Sequence, residues 1–112
     1  MKYKVVLVPF PFDDLSSSKL RPAVCLTDWI GIYKHVVCAF ITSNITAKIE
    51  PSDIQLFSNN PDFSITGLKV NSVIRLHRLI TIPEKLILRI LGELPQITID
   101  EIQKKLKQLF EF

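Results

Sequence analysis

VVLVPFPFDDLSSSKLRPAVCLTD, Val5 to Asp28, reads as strand, polar loop, strand. The β-branched run around Val5–Val8 favours extended backbone, and Tyr3–Val8 is expected as a mostly buried strand. Pro9 and Pro11 remove backbone donors, so the strand must leave its ladder or lie at an edge there. DDLSSSK, Asp13 to Lys19, is a polar loop. PAVCLT, Pro22 to Thr27, is a second buried strand, which places Arg21 just before its start.

Further along, Asp28–Lys34 is a turn containing Gly31, and His35–Thr42 (HVVCAFIT) is a third strand. If the second and third strands form a hairpin, Cys25 falls near Cys38. Asn44–Asp53 is a polar connection and Ile54–Phe57 a short strand. Ser58–Phe63 is a turn cluster, and Lys69–Leu79 a further β segment. Pro83-Glu84-Lys85 suggests one helical turn, and Ile87–Leu94 a last strand. Thr98 with Glu101 has the spacing of a capping box, and Ile97 with Ile102 that of a hydrophobic staple. Ile99, Ile102, Leu106, Leu109 and Phe110 share one face of a terminal helix, a packing element by this reading. The expected fold is mainly β, a small partly open barrel with a C-terminal helix, in a single domain over 1–112.

The 112 residues are 47% hydrophobic and 22% charged, which excludes a disordered chain. At this length roughly two thirds of the unfolded surface is buried, enough for one core. No apolar run reaches the ~18 residues that span a bilayer, so no membrane partner is expected. The basic-then-apolar start is broken by Pro9 and Pro11 and lacks a small-residue cleavage site. It reads as mature structure in a cytoplasmic protein. Cys25 and Cys38 stand alone in apolar runs and have no metal spacing, so buried thiols are expected and no metal or other cofactor. The formal charge is +3. Residues 1–92 carry 11 Lys/Arg against 7 Asp/Glu, whereas 93–112 carry 3 against 4. This mildly basic body permits nucleic-acid binding without demanding it.

Three glycines cannot build a phosphate loop, and His35 and His77 are unaccompanied. Asp13-Asp14 and Asp100-Glu101 are explained by solvation or capping. What remains is polar residues at strand ends: Arg21, then Thr42, Ser43 and Asn44, with Arg75 and Arg78 in the later β segment. A guanidinium fork suits phosphate because it donates two parallel hydrogen bonds and keeps its charge. An ion pair of Arg21 with Asp13, Asp14 or Asp28 explains the same residue equally well on these grounds.

VLVPFPFDDLSSSKLRP followed by AVCLTD resembles the opening block of the PemK/MazF family of toxins. VVCAFITSN, Val36 to Asn44, resembles the family's strand ending in Ile-Thr-Ser. GLKVNSVIRLHRLITI, Gly67 to Ile82, resembles its Gly-Leu…Ser-Val-Ile-Arg segment. The resemblance covers nearly the whole chain in order. It implies an SH3-like or CcdB/PemK barrel, a homodimer, and a toxin of a type II toxin–antitoxin system that cuts single-stranded RNA without metal. It also implies a cognate antitoxin as partner and DNA binding by the toxin–antitoxin complex. By the resemblance the catalytic residues are Arg21 and Thr42, and Arg78 faces the RNA.

Attack by the RNA's own 2′-hydroxyl needs alignment and charge stabilisation rather than a metal. Guanidinium and hydroxyl groups are intrinsically poor acids and bases, so slow, positioning-dominated cleavage to 2′,3′-cyclic phosphate and 5′-hydroxyl ends is expected. The expected RNA-binding set is Ser18, Lys19, Ser43, Asn44, Lys48 and Arg78, from the loops Ser16–Lys19 and Ser43–Lys48 and from the third block. Phe10 and Phe12 read either as stacking platforms or as core and dimer residues. Many relatives carry Gly-Asp where Tyr3-Lys4 stand here, and Gly where the Ser16–Lys19 loop has serines. Two other readings remain: a CcdB-like gyrase poison and a catalytically degenerate β-barrel binding module. Arg21-Pro22 together with Thr42 favours the nuclease.

Overall fold

A computed structural model describes residues 1–10, 19–45 and 48–111, without the Phe10 side chain. Six strands form one antiparallel sheet: β1 Lys4–Phe10, β2 Lys19–Cys25, β3 His35–Thr42, β4 Asp53–Leu56, β5 Ser72–Pro83 and β6 Arg89–Glu93. Their order is β4-β5-β3-β2-β1-β6, and the sheet curls into a half-barrel. One helix, α1 Gln96–Phe110, ends the chain.

Side-chain alternation explains the apolar runs of the first three strands. Val5, Val24, Ala39 and Ile41 face one side and join Ile54, Ile74 and Leu76. Val6, Val8, Ala23, Cys25, Cys38 and Phe40 face the other. Both faces are buried, so these strands read as continuous hydrophobic stretches. α1 closes the first face through fully buried Ile102, with Ile99 and Leu106 partly buried beside it. Leu109 and Phe110 remain exposed, so the apolar stripe is used only in its middle.

Several expectations hold in detail. Cys25 stands directly opposite Cys38, with the sulfurs 4.0 Å apart and both thiols free. The Cys38 thiol donates toward Cys25 Sγ, and that bond and burial push the Cys38 pKa well up, which keeps it protonated. Gly31 takes a left-handed conformation (φ 76°) in the turn between β2 and β3. β1 pairs with β6 only from Lys4 to Leu7, while its β2 side continues to Phe10. Pro9 therefore lies where β1 is an edge, as its missing donor requires.

Other expectations are corrected. Arg21 lies inside β2, opposite Val8, and not ahead of the strand. β5 begins at Ser72 and runs to Pro83, because Thr66 and Gly67 close a short helical turn, Phe63–Thr66, before it. The capping box is absent: α1 starts at Gln96 after Pro95, which puts Thr98 within the first turn and buries it. Pro95 supplies the helix-compatible φ (−63°), so no side-chain cap forms. Ile97 is 66% exposed and staples nothing.

Candidate active site

Two neighbouring strands deliver the central pair. Arg21 projects from the middle of β2 and Thr42 ends β3. The β2–β3 ladder stops at Ala23–Phe40, so beyond it the strands splay and leave a cavity between them. Its volume is about 290 Å³. Arg21, Thr42, Ser43, Asn44, Arg75 and Arg78 line it above the buried Phe40 and Ile41. The Asn44 amide donates to Thr42 Oγ1 at 3.1 Å, a local bond that turns the chain at the strand end and orients the hydroxyl.

Arg78 reaches this cavity because β5 is irregular. Leu79 pairs with Ala39, but the next β3 residue, Phe40, pairs with Arg75. Leu76, His77 and Arg78 thus have no β3 partner. The bulge breaks the simple in–out alternation: Leu76 is buried, Arg78 lines the cavity, and His77 turns toward the other side.

Arg75 was among the polar candidates but was not placed in the catalytic or RNA-binding set. It lines the cavity and is held by Asp53, with Nη1 to Oδ2 at 3.0 Å. Asp53 Oδ2 also accepts from the Glu50 amide at 2.8 Å. The pairing of Arg75 with Asp53 was not legible: an Asp opening a short apolar strand reads equally well as a loop end.

The remaining expected residues separate. Ser43 and Asn44 line the cavity with Arg21 and Thr42. Lys19 is exposed at the start of β2, and Lys48 is exposed; neither lines the cavity. Ser18, Phe12, Asp13 and Asp14 lie outside the described residues, as do positions 46 and 47 of the expected binding loop. Asp28 is not a partner of Arg21: it accepts from the Met1 ammonium at 2.7 Å. Among the described residues no carboxylate pairs with Arg21.

A larger groove of about 490 Å³ lies between Glu50–Ser52 and α1, lined also by His77 and Lys105. It suits an anion poorly. Lys105 Nζ is committed to the Asp53 carbonyl at 2.6 Å and to Glu101 at 3.3 Å, and Glu50 adds a negative charge. The arginine cavity therefore has the stronger chemistry despite its smaller size. It gathers three guanidinium groups, with Arg75 paired to Asp53, and such a concentration of positive charge suits a polyanion.

Residues 1–110 match the family described as PemK-like, MazF-like toxin of type II toxin-antitoxin system. The chain belongs to that family. Among curated proteins none matches the chain by sequence. The fold of this PemK/MazF-family chain is similar to that of Mycobacterium tuberculosis toxin MazF-mt6, with TM-score 0.74 and 19% identity over 97% of both chains. It is also similar to an endoribonuclease in complex with its cognate antitoxin from a mycobacterial species. There the TM-score is 0.72 and the identity 13%, over 100% of this chain and 95% of that one. At such identities the likeness is one of fold. The expected β architecture with a terminal helix is therefore correct, and the expected family is shown.

Proposed function

We propose that this PemK/MazF-family toxin is a metal-independent endoribonuclease that cleaves single-stranded RNA. The observation that carries the reading is the convergence of Arg21 and Thr42, from adjacent strands, in one cavity with Ser43, Asn44, Arg75 and Arg78. The substrate supplies its own nucleophile. The 2′-hydroxyl loses its proton to solvent, and its oxygen bonds to the adjacent phosphorus. The bond to the 5′-oxygen breaks, and that oxygen takes a proton from water. The products are a 2′,3′-cyclic phosphate and a 5′-hydroxyl.

Arg21 stabilises the charge that builds on the non-bridging oxygens, as a planar donor fork does best. Thr42, with its hydroxyl oriented by the Asn44 amide, aligns the 2′-hydroxyl or the phosphate. Arg78 with Ser43 and Asn44 holds the strand on either side. Lys19 and Lys48, both exposed, contribute attraction along the approach rather than contacts at the cut, and the Ser18 hydroxyl hydrogen-bonds the RNA. Its partners are a second copy of the chain and an antitoxin whose acidic segment competes for the same arginines, in the cytoplasm, and the toxin–antitoxin complex binds DNA.

Incubation with mixed-sequence RNA in EDTA, followed by sequencing of the new ends, tests the reading. Wild type gives site-selective cuts with cyclic-phosphate ends, and Arg21→Ala loses roughly a hundredfold or more in rate. An Arg21→Ala protein that cuts at the wild-type rate removes Arg21 from the mechanism.

A further inference from the structure

Arg21 also borders a second cavity. It measures about 310 Å³ and shares Arg21, Ile41 and Ser43 with the first. The two cavities therefore adjoin at these residues. Their chemistry differs. The first is lined by three arginines, hydroxyls and an amide. The second has an apolar wall, Leu68, Val70 and Leu91, with two further cations, Lys69 and Arg89, at its rim.

The wall is built rigidly. Gly67 is left-handed (φ 73°), and its Cα packs so closely on the Leu91 carbonyl that no side chain fits between them. Buried Thr66 donates to the Phe63 carbonyl at 2.7 Å and accepts from the Leu68 amide at 3.1 Å. Ser72, also buried, donates to the Val70 carbonyl at 2.8 Å. Gly67–Val70 is thus pinned at both ends while Val70 stays 56% exposed. Pinning an apolar residue into solvent suits a surface that something flat packs against.

We propose that this second cavity is a base subsite, which takes the nucleobase next to the phosphate held at Arg21 and prefers guanine. The inference rests on the RNA-cleaving reading above and adds a substrate preference to it. A volume near 310 Å³ lies at the small end of ligand pockets, about 300–1,000 Å³, and suits one nucleoside rather than a longer segment. The flat face of the base packs on Leu68, Val70 and Leu91. Its edge meets Arg89 and Lys69, which carry donors only. Among the described residues neither side chain has a hydrogen bond or ion pair. A guanidinium fork matches the paired acceptors O6 and N7 of guanine. Adenine and cytosine bring amino donors to the corresponding edge, and two donors facing one another repel. Single-stranded RNA leaves these edges open to reading.

The test uses the full chain as wild type, Arg89→Ala and Val70→Asp, all at exposed positions that leave the core intact. Each is incubated with mixed-sequence RNA in EDTA and the cut sites are sequenced. Binding is measured by fluorescence anisotropy with four oligonucleotides, deoxy at the cut and differing only in the flanking base. Wild type prefers guanine at one position beside the cut. Arg89→Ala lowers that preference roughly ten- to hundredfold while cutting continues, and Val70→Asp weakens binding of every oligonucleotide filled at that position. Unchanged base preference in Arg89→Ala, or a uniform loss at all sites as for a phosphate contact, overturns the subsite and leaves the cleavage reading standing. A wild type that cuts nothing, but binds the guanine oligonucleotide tightest through Arg89, supports the subsite and overturns cleavage. A wild type that neither cuts nor binds overturns both.

Discussion

Asp53 on β4 stands directly opposite Arg75 on β5, and its carboxylate, with a side chain 0% exposed, holds the Arg75 guanidinium at 3.0 Å. Burying a carboxylate is unfavourable unless it is paired. Asp53 meets that cost with Arg75 and the Glu50 amide through one oxygen. The other oxygen is buried without a hydrogen bond, with His77 Nδ1 3.9 Å away. Asp53→Ala leaves Arg75 and the Glu50 amide without their acceptor. Unfolding in urea will show a loss of about 2–4 kcal/mol, below the full figure for a buried pair because Arg75 is 18% exposed. Asp53→Asn, which keeps the shape and an acceptor, will lose less. Equal stability of all three proteins would show that the pair contributes nothing.

Gly67 and Gly31 separate conformation from contact. Both have positive φ, 73° and 76°. A Cβ on Gly31 meets nothing within 4 Å, whereas one on Gly67 lands on the Leu91 carbonyl. Gly31→Ala will cost about 1–2 kcal/mol, the backbone preference alone. Gly67→Ala will cost clearly more, about 2–4 kcal/mol, because β6 must shift as well. Denaturant midpoints of the two variants measure the difference.

The Thr42 hydroxyl has two duties, accepting from the Asn44 amide and facing the cavity. Thr42→Val keeps the shape and removes both. Single-turnover cleavage should fall about 10²–10³-fold if the hydroxyl aligns the reacting groups. Thr42→Ser keeps the oxygen and should stay within about tenfold of wild type by the same reasoning. Equal rates for Val and Ser would restrict Thr42 to turning the chain.

Asp28 provides a pH-dependent tie. The hydrogen bond from the Met1 ammonium, and then the Lys2 amide, hold its carboxyl below the ordinary value of 3.8. A lowered folded pKa means the stabilisation is present above that ordinary value. It is lost as pH falls through the lower folded value. Wild type will therefore exceed Asp28→Asn in stability at pH 6, and the two curves will converge below about pH 4. The carboxylate is 72% exposed, so high salt will shrink the gap. A gap that grows in acid would contradict the assignment.

Much of the scaffold was legible in order along the chain. The β-branched runs predicted β1–β3, the bounds of β3 were read as His35–Thr42, and the Cys25–Cys38 register followed from pairing around Gly31. Arg21, Thr42, Ser43, Asn44 and Arg78 were legible as candidate site residues and meet in one cavity. The capping box was misread because Thr98–Glu101 has the right spacing, but Pro95 starts the helix earlier. Lys48 lies outside that cavity, because loop membership says nothing about where a long side chain lies.

The sequence by itself determined the alternation, the proline edge and the identity of the residues that strand ends present. These are local properties, set by side-chain shape and backbone donors. Only the tertiary structure decided which of those residues face one another. The three-residue irregularity in β5 depends on pairing with β3, 35 to 40 residues earlier in the sequence, and it sends His77 and Arg78 to different cavities. The Asp53–Arg75 pair and the Gly67–Leu91 contact likewise join segments that no local pattern couples. Long-range packing selects them, because a buried charge or a Cβ-free contact has meaning only when its partner is in place.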